Sequence, residues 1–564
     1  MRRALVLAAC AAAVLAAPAT AWAHAVLLRT VPAASKLVNA PPRSVALVFS
    51  EAVEPRFAVV SVTDAAGRQQ AAASPQRSAA DADELDVPLR SLREGWYLVF
   101  WRAISVDGHP VRGAFTFAVG PNPGPAPAFV VPSLSETAAT PTLVVARWVS
   151  FLGLLAAVGL FAFRLVVVRP LRGPPRALSI AFWAAVGLAL AAVPVYVLFA
   201  TAQFALRHAW EVGALVPLMR TSAFGRGYLD LELLLLLFAG AAAVAVWLDR
   251  PDRPRRSIAE LFALGGAGLA AAAALLAPGA AGHAAQTSPR ALALALDWLH
   301  LAAGSLWLGG LVGLLVLAAS MPAAQRLTGL ALCVPRFSNV AFVSVVALLG
   351  SGVGASVLHL PTFAALWQTS YGQAIIVKAS LLLTAIALAS VNLLRTRPVL
   401  ASGAPTPGAA ALLRRLAGAE VLLVAGAVGA AAVLSRLPPP SKALAAVGQA
   451  NAKVGPGAVT RVVDEHGYRV ELRVTPNRAA VPNDFVVRIT REGRVVPDVR
   501  VTVTFTMLDM EMPAQAYALA ESSPGVYRRS SPALVMVGHW GLSFEIAPPG
   551  AAPFSVLLVD RASG

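Results

Sequence analysis

His24 follows the small-x-small sequence Ala21-Trp22-Ala23. Cleavage after Ala23 would leave it as an amino-terminal residue with two nitrogen donors, the α-amine and the imidazole. A complementary group stands further along, in the run Ser105-Val106-Asp107-Gly108-His109-Pro110. Residues two apart on an extended backbone face the same way, so Asp107 and His109 can present an oxygen and a nitrogen to one point. Together with His24 this gives three nitrogens and one oxygen, a set suited to tetragonal Cu(II). Read alone, Asp107-Gly108 is a hairpin turn and His109 a surface residue. A second histidine placed directly after a cleavage site argues for metal instead. Only two cysteines occur, Cys10 and Cys333, so neither a disulfide framework nor a cysteine-rich metal cage is available.

Two further groups could carry metal. Four histidines, His208, His283, His300 and His359, lie in or beside apolar spans, together with Lys378, Asp230 and Glu232. Ionisable residues in spans are costly and usually face the bundle interior. His300 and His283 are read as metal contacts, with helix-helix hydrogen bonding the alternative for His300, and Lys378 as a cation that snorkels to the interface. Near the carboxyl end stand Met507, Met510, Met512 and Met536, with His539 three residues after Met536. Thioethers suit Cu(I), and Met510 and Met512 share a strand face, although methionine on a strand more often fills a core. His466, beside Glu465 and Gly467, reads as a solvated turn residue.

These donors need elements to hold them. Mean hydropathy of +0.68 and 57% hydrophobic residues in a chain of 564 exclude a single soluble domain and point to a polytopic membrane protein with attached domains. The formal charge of +17 is almost wholly arginine, and many of those arginines flank apolar spans, so it argues for membrane topology rather than nucleic acid. Residues 1–23 read as a signal peptide: Arg2 and Arg3, an apolar run, then the cleavage site. Residues 24–120 alternate in short apolar runs and predict an immunoglobulin-like antiparallel β-sandwich; 121–141 form a Pro-rich linker.

Residues 142–436 predict an all-α membrane bundle of about eight helices. The spans run roughly 142–168, 177–200, 227–248, 257–277, 295–319, 336–358, 372–394 and 411–435. Arginines collect after the odd-numbered spans, at Arg169, Arg172 and Arg176, at Arg250 to Arg256, and around Arg395, Arg397, Arg414 and Arg415. The positive-inside rule then puts both ends of the bundle outside and all four histidines at or near the outer face. Residues 437–456 are a linker, and 457–564 predict a second β-sandwich.

Residues 24 to 119 resemble the CopC family of periplasmic copper-binding proteins. The likeness lies in His24-Ala25-Val26-Leu27, Pro32-Ala33, Phe49-Ser50-Glu51, Gly95-Trp96-Tyr97 and the run from Ser105 to Pro110. It implies a Cu(II) site of His24, Asp107 and His109, with Glu51 an additional carboxylate; residues 24–141 contain no methionine, so a Cu(II)-only form is expected. The bundle resembles the CopD family of copper uptake or tolerance proteins, through Gly282-His283-Ala284, Asp297-Trp298-Leu299-His300, Ser305 to Gly310 and Ser370-Tyr371-Gly372. The carboxyl-terminal region resembles YtkA-like domains, through Met510-Glu511-Met512-Pro513, Gly525-Val526-Tyr527 and Val537-Gly538-His539-Trp540.

A CopC-CopD fusion implies copper capture outside the inner membrane and passage inward. Its partners would be copper ions, the lipid bilayer and periplasmic copper chaperones. Sequestration by an anchored domain, or haem ligation by histidine pairs in an electron-transfer protein, are the competing readings. Phosphate-binding loops, the Asp-Lys-Thr-Gly phosphorylation sequence and a nucleophile elbow are all missing from the sequence, so ATP-driven pumping and hydrolase chemistry are not expected.

Overall fold

A computed structural model of the chain describes residues 27–124, 141–249, 256–437 and 457–562. Exceptions within them are 34–35, 50–52, 54, 80, 105–109, 172–174, most of 206–222, 361, 364, 403–404, 480, 509–513, 532 and 536–537.

Among the described residues the first β region has eight strands: β1 (Leu27–Val31), β2 (Leu37–Val38), β3 (Ser44–Phe49), β4 (Val59–Asp64), β5 (Gln76–Arg77), β6 (Glu84–Pro88), β7 (Gly95–Ile104) and β8 (Pro110–Val119). They form two four-stranded sheets, ordered β1-β3-β6-β5 and β2-β8-β7-β4. Alternation sets the core. Tyr97, Val99, Trp101, Phe115 and Phe117 point inward from β7 and β8 against Val45, Leu47 and Phe49 of β3. The opposite face of β7 and β8 is also buried at Leu98, Ala114, Thr116 and Ala118. Phe100 on that face packs against the core of the carboxyl-terminal β region, and the Ala114 N–H donates to the Val535 carbonyl at 3.2 Å.

Among the described residues eight helices are long and apolar enough to cross a membrane. They are α1 (Pro141–Val166), α2 (Arg176–Ala205), α3 (Ala223–Leu248), α4 (Ile258–Ala280), α5 (Arg290–Ser320), α6 (Ala323–His359), α7 (Ser370–Val391) and α8 (Pro407–Leu434). The chain is thus a multi-pass membrane protein. The predicted start of the sixth span moves: α6 begins well before 336 and carries Pro335 inside it. Proline removes one intrahelical bond, a loss that packed neighbours can offset in a membrane. Past Val391 the seventh span runs on through a π turn, Asn392–Thr396, into a short helix, Arg397–Ala401.

Close approach holds α1 to α5: a Cβ at Gly159 would collide with the Ser305 carbonyl, and one at Gly309 with the Gly159 backbone. Small residues permit such contact where lipid supplies no hydrophobic drive between helices. At the arginine-rich end, Ser257 and Glu260 form a capping box on α4, and Glu260 takes Arg256 at 3.5 Å and Arg169 at 3.8 Å.

Among the described residues the carboxyl-terminal β region has nine strands: β9 (Val459–Glu465), β10 (Tyr468–Thr475), β11 (Asn483–Arg491), β12 (Arg494–Val495), β13 (Arg500–Met507), β14 (Gln515–Ser523), β15 (Val526–Ser531), β16 (Gly538–Ala547) and β17 (Phe554–Ala562). Their order is β17-β16-β13-β14-β15-β11-β10-β9, with β12 on β11. The expected two layers are therefore joined: β14 pairs with β13 through Val501–Phe505 and with β15 further along. His466, at φ 50°, and Gly467, at φ 78°, turn β9 into β10, the left-handed pair a tight hairpin demands.

Asp560 is 1% exposed and accepts from the Asn477 amide at 2.8 Å and the Arg561 N–H at 2.7 Å. Burial pushes its pKa above the usual carboxylate range, against the pull of Asn477, Arg561 and His539. The folded region thus holds this proton more tightly than the unfolded chain. Its stabilising contribution is complete below the ordinary Asp pKa and lost as pH rises through the raised value. The denaturant midpoint of this region in Asp560→Asn should accordingly fall less with rising pH across that window than in wild type.

Candidate metal sites

The β7–β8 hairpin positions the first candidate site. Its ladder runs from Gly95↔Val119 to Ile104↔Pro110, and Asp107 and His109 belong to the segment joining those last partners. His24 precedes β1 and Glu51 follows β3, and these strands pair at Leu27↔Phe49. His24, Glu51, Asp107 and His109 themselves lie outside the described residues. The strand ends that flank them are described. Phe49 meets Trp101 edge-to-face with ring centroids 5.4 Å apart, which ties the end of β3 across the core to the far end of β7.

Trp101 in turn lies over Gly113, its ladder partner: a Cβ there would stand 2.8 Å from the indole. Gly113→Val should push Trp101 off Phe49. The expected cost is about 1–3 kcal/mol of stability. Because the hairpin end loses its support, Cu(II) affinity should also fall by roughly 10-fold or more in a competition titration.

The second candidate lies within the bundle. Lys378 Nζ of α7 is 3.0 Å from His300 Nε2 of α5, and His300 Nδ1 is 3.1 Å from Ser351 Oγ of α6. Ser351 donates its own proton to the Ala347 carbonyl at 2.6 Å, so its oxygen accepts from Nδ1–H. That assigns the Nδ1–H tautomer and leaves the Nε2 lone pair to accept from the Lys378 ammonium. Gly352 lies beside the ring, where a Cβ would stand in ordinary contact, 3.5 Å from His300 Cε1. A metal at Nε2 would have to displace Lys378.

Asp297, one turn before His300, supplies the counter-charge: Lys378, His359 and Arg147 all act on its carboxylate. Asp230 is exposed, and the carboxylate that acts on Lys378 is Asp297. Arg147 of α1 donates to the Tyr196 hydroxyl of α2 at 2.8 Å and sits 5.3 Å above that ring. Arg147 and Tyr196 are not singled out from sequence, whereas Asp297 stands in the run Asp297-Trp298-Leu299-His300, three residues before His300, the spacing that puts two side chains on one helix face.

His359, at the end of α6, bonds the Ala355 carbonyl through Nδ1 at 2.7 Å and Thr287 Oγ1 through Nε2 at 3.1 Å, and stacks on Tyr371. It stands eight residues beyond Ser351, about 12 Å along α6. His283 opens a short 3-10 turn, His283–Gln286, but its side chain is outside the described set, as is His208. Among the described residues no three His, Cys, Asp or Glu side chains gather as a metal cage.

The third candidate divides. Met507 is 2% exposed, with its side chain in the β core beside Phe505 and Trp540, so it fills the core. Strand parity places Met507 on the same face as Val501, Val503 and Phe505. Met510, Met512 and Met536 lie outside the described residues, and His539 is exposed on β16.

A β domain of paired four-stranded sheets, an eight-helix apolar bundle and a second β domain in one chain define a membrane protein that carries folded domains on both sides of its spans in sequence. Residues 27–120 match the model of the CopC domain, 331–434 that of copper resistance protein D, and 463–545 that of YtkA-like domains. The chain belongs to the CopC–CopD family of fused copper-handling proteins, with a YtkA-like domain at its carboxyl end.

It is 25% identical over 532 residues to the copper transport protein CutJ of Bacillus subtilis (strain 168), covering 93% of each. Protein YobA of Escherichia coli (strain K12) is 40% identical over 99 residues, 17% of this chain and 80% of YobA. Among solved structures, CopC from Methylosinus trichosporium OB3b is 32% identical and covers 18% of this chain and 99% of its own, with a TM-score of 0.17.

Proposed function

We propose that this protein captures Cu(II) outside the inner membrane through His24, Asp107 and His109, with Glu51 beside them, and delivers copper to the bundle for passage inward. Supporting this most directly is the convergence of strand ends: Leu27 pairs with Phe49, Phe49 touches Trp101, and Trp101 leads to Ile104↔Pro110. All three donor-bearing segments leave the scaffold from this neighbourhood. Both β domains stand on the outer side in this reading, which the arginine-rich loops after the odd-numbered spans support. Copper is cargo, and the protein does no catalysis on it.

Within the bundle the cargo passes His359 and His283, with His208 near the entrance, to His300. There it exchanges with the Lys378 ammonium on Nε2. Met510, Met512, Met536 and His539 form a soft-donor set for Cu(I). Copper accumulation in cells expressing wild type, His24→Ala and His300→Ala tests the reading. Both substitutions should lower accumulation several-fold. Unchanged accumulation in both would rule out uptake and leave sequestration by an anchored copper-binding domain, a reading favoured by the occupied lone pair on His300.

A further inference from the structure

The bundle has a second polar level, far from the histidines, built where α7 gives way to its π turn. Glu420 of α8 is 2% exposed, and the Asn392 amide donates to its Oε1 at 2.6 Å. Thr396 donates its hydroxyl proton to the Asn392 backbone carbonyl at 2.7 Å and lies 3.0 Å from Asn392 Oδ1. That same carbonyl accepts from the Arg397 N–H five residues on, the bond that defines the π turn. Pro398 follows, with no N–H to return to Leu394, so regular helix geometry cannot continue unbroken there. Single π turns inside helices recur at functional positions, because they turn side chains and carbonyls away from the regular ladder.

Depth sharpens the case. Glu420 lies five residues beyond Arg415, about 8 Å further along α8, and Asn392 lies fourteen residues beyond Lys378, about 21 Å along α7. The carboxyl is therefore inside the apolar slab, on the arginine-rich half. Burial and the Asn392 amide are the two influences on its charge. Of the cations on elements packed against it, Arg395, Arg414 and Arg415 are exposed, Arg397 donates to Asn339 and Arg164 of α1 to Ser179. Arg336 of α6 donates to the Leu332 carbonyl, and the Lys378, His300 and Asp297 group belongs to the other half. A carboxylate left without a cation in an apolar interior costs several kcal/mol, and a proton removes that cost. Oxygen donors alone are a poor match for copper and a good one for a proton.

We propose that Glu420, with Asn392 and Thr396 at the π turn of α7, is a proton-binding station in the arginine-rich half of the bundle, and that its protonation and release accompany copper passage. The station is a property of the bundle; only its coupling to copper rests on the uptake reading.

Infrared difference spectra of the purified full chain, taken between about pH 6 and pH 8, read the carboxyl directly. Wild type should show a carboxylic-acid C=O band that Glu420→Gln removes and Asn392→Ala shifts; Gln retains an oxygen to accept from Asn392, which keeps the fold. A wild-type band that survives in Glu420→Gln, or its absence from wild type, overturns the station. In cells, copper accumulation should vary several-fold with external pH in wild type and become flat in Glu420→Gln. Identical pH profiles in both, or dependence on sodium instead of pH, overturn the coupling. Should wild type accumulate no copper at any pH while keeping a band that Glu420→Gln removes, the uptake reading fails and the station stands.

Discussion

Asp297→Ala is expected to leave the bundle unable to fold to a single species, because it strips the counter-charge from the Lys378 ammonium. Lys378 has His300 Nε2 at 3.0 Å as its hydrogen-bond partner, and Asp297 is the carboxylate that acts on it. Removing the carboxylate that compensates a buried ammonium typically costs about 3–5 kcal/mol, since the remaining charge has lost its compensation. Arg147 and His359 also act on Asp297, so the deletion disturbs more than the Lys378 contact. The double variant Asp297→Asn, Lys378→Met removes both charges of the central pair and should recover most of the monodisperse yield after detergent extraction. Recovery to less than the single variant's yield would show that Asp297 serves Arg147 rather than Lys378. Gly279 reports on the same packing: a Cβ there would collide with the Asp297 carboxylate, so even Gly279→Ala should lower the yield.

For the purified protein, Cu(II) affinity in His24→Ala should fall by more than about 100-fold, beyond the 10–100-fold seen when only a supporting group around a metal is lost. In the proposed site, with cleavage after Ala23, the substitution would remove an imidazole while leaving an α-amine and so reduce a two-nitrogen chelate to a single donor. His109→Ala should be of similar size and Asp107→Asn smaller, because an amide oxygen keeps a weak donor at the same point. Electron paramagnetic resonance of the bound Cu(II) distinguishes ligand loss from unfolding: nitrogen splitting should simplify in His24→Ala and His109→Ala and stay nitrogen-rich in Asp107→Asn. Equal affinity in wild type and His24→Ala would remove the amino-terminal chelate from the mechanism. Mass spectrometry of the mature chain gives an independent check, with His24 expected as its first residue.

Much of the architecture is legible along the chain. Eight apolar stretches are long enough to span a bilayer, and all eight correspond to helices in the structure. Two-residue alternation marks β10 and β13, each of which buries one side of its strand into a core, while β7 and β8 are near-continuous apolar runs with burial on both faces. Boundaries were less legible where proline intervenes. Pro335 suggests the start of a span but sits inside α6, since helix packing compensates for one missing bond. Past Val391, a π turn that no periodicity announces precedes Pro398.

Composition and spacing by themselves determine that this is a multi-pass membrane protein with β domains at both ends, and they determine which donors it has to offer: few cysteines, histidines near span ends, and His24 beside a small-x-small site. These are one-dimensional properties, set by local alternation, apolar length and residue chemistry. Tertiary structure alone decides which donors are free. Sequence cannot tell that Lys378 reaches His300 Nε2 from another helix, that Asp297 rather than Asp230 or Glu232 balances it, or that Met507 points into a core. Nor can it tell that Phe100 and Ala114 carry the carboxyl-terminal β region on the back of the copper-domain sheet. Each depends on side chains from distant segments meeting at ångström range, and a buried charge or thioether takes its role from whatever the fold places beside it.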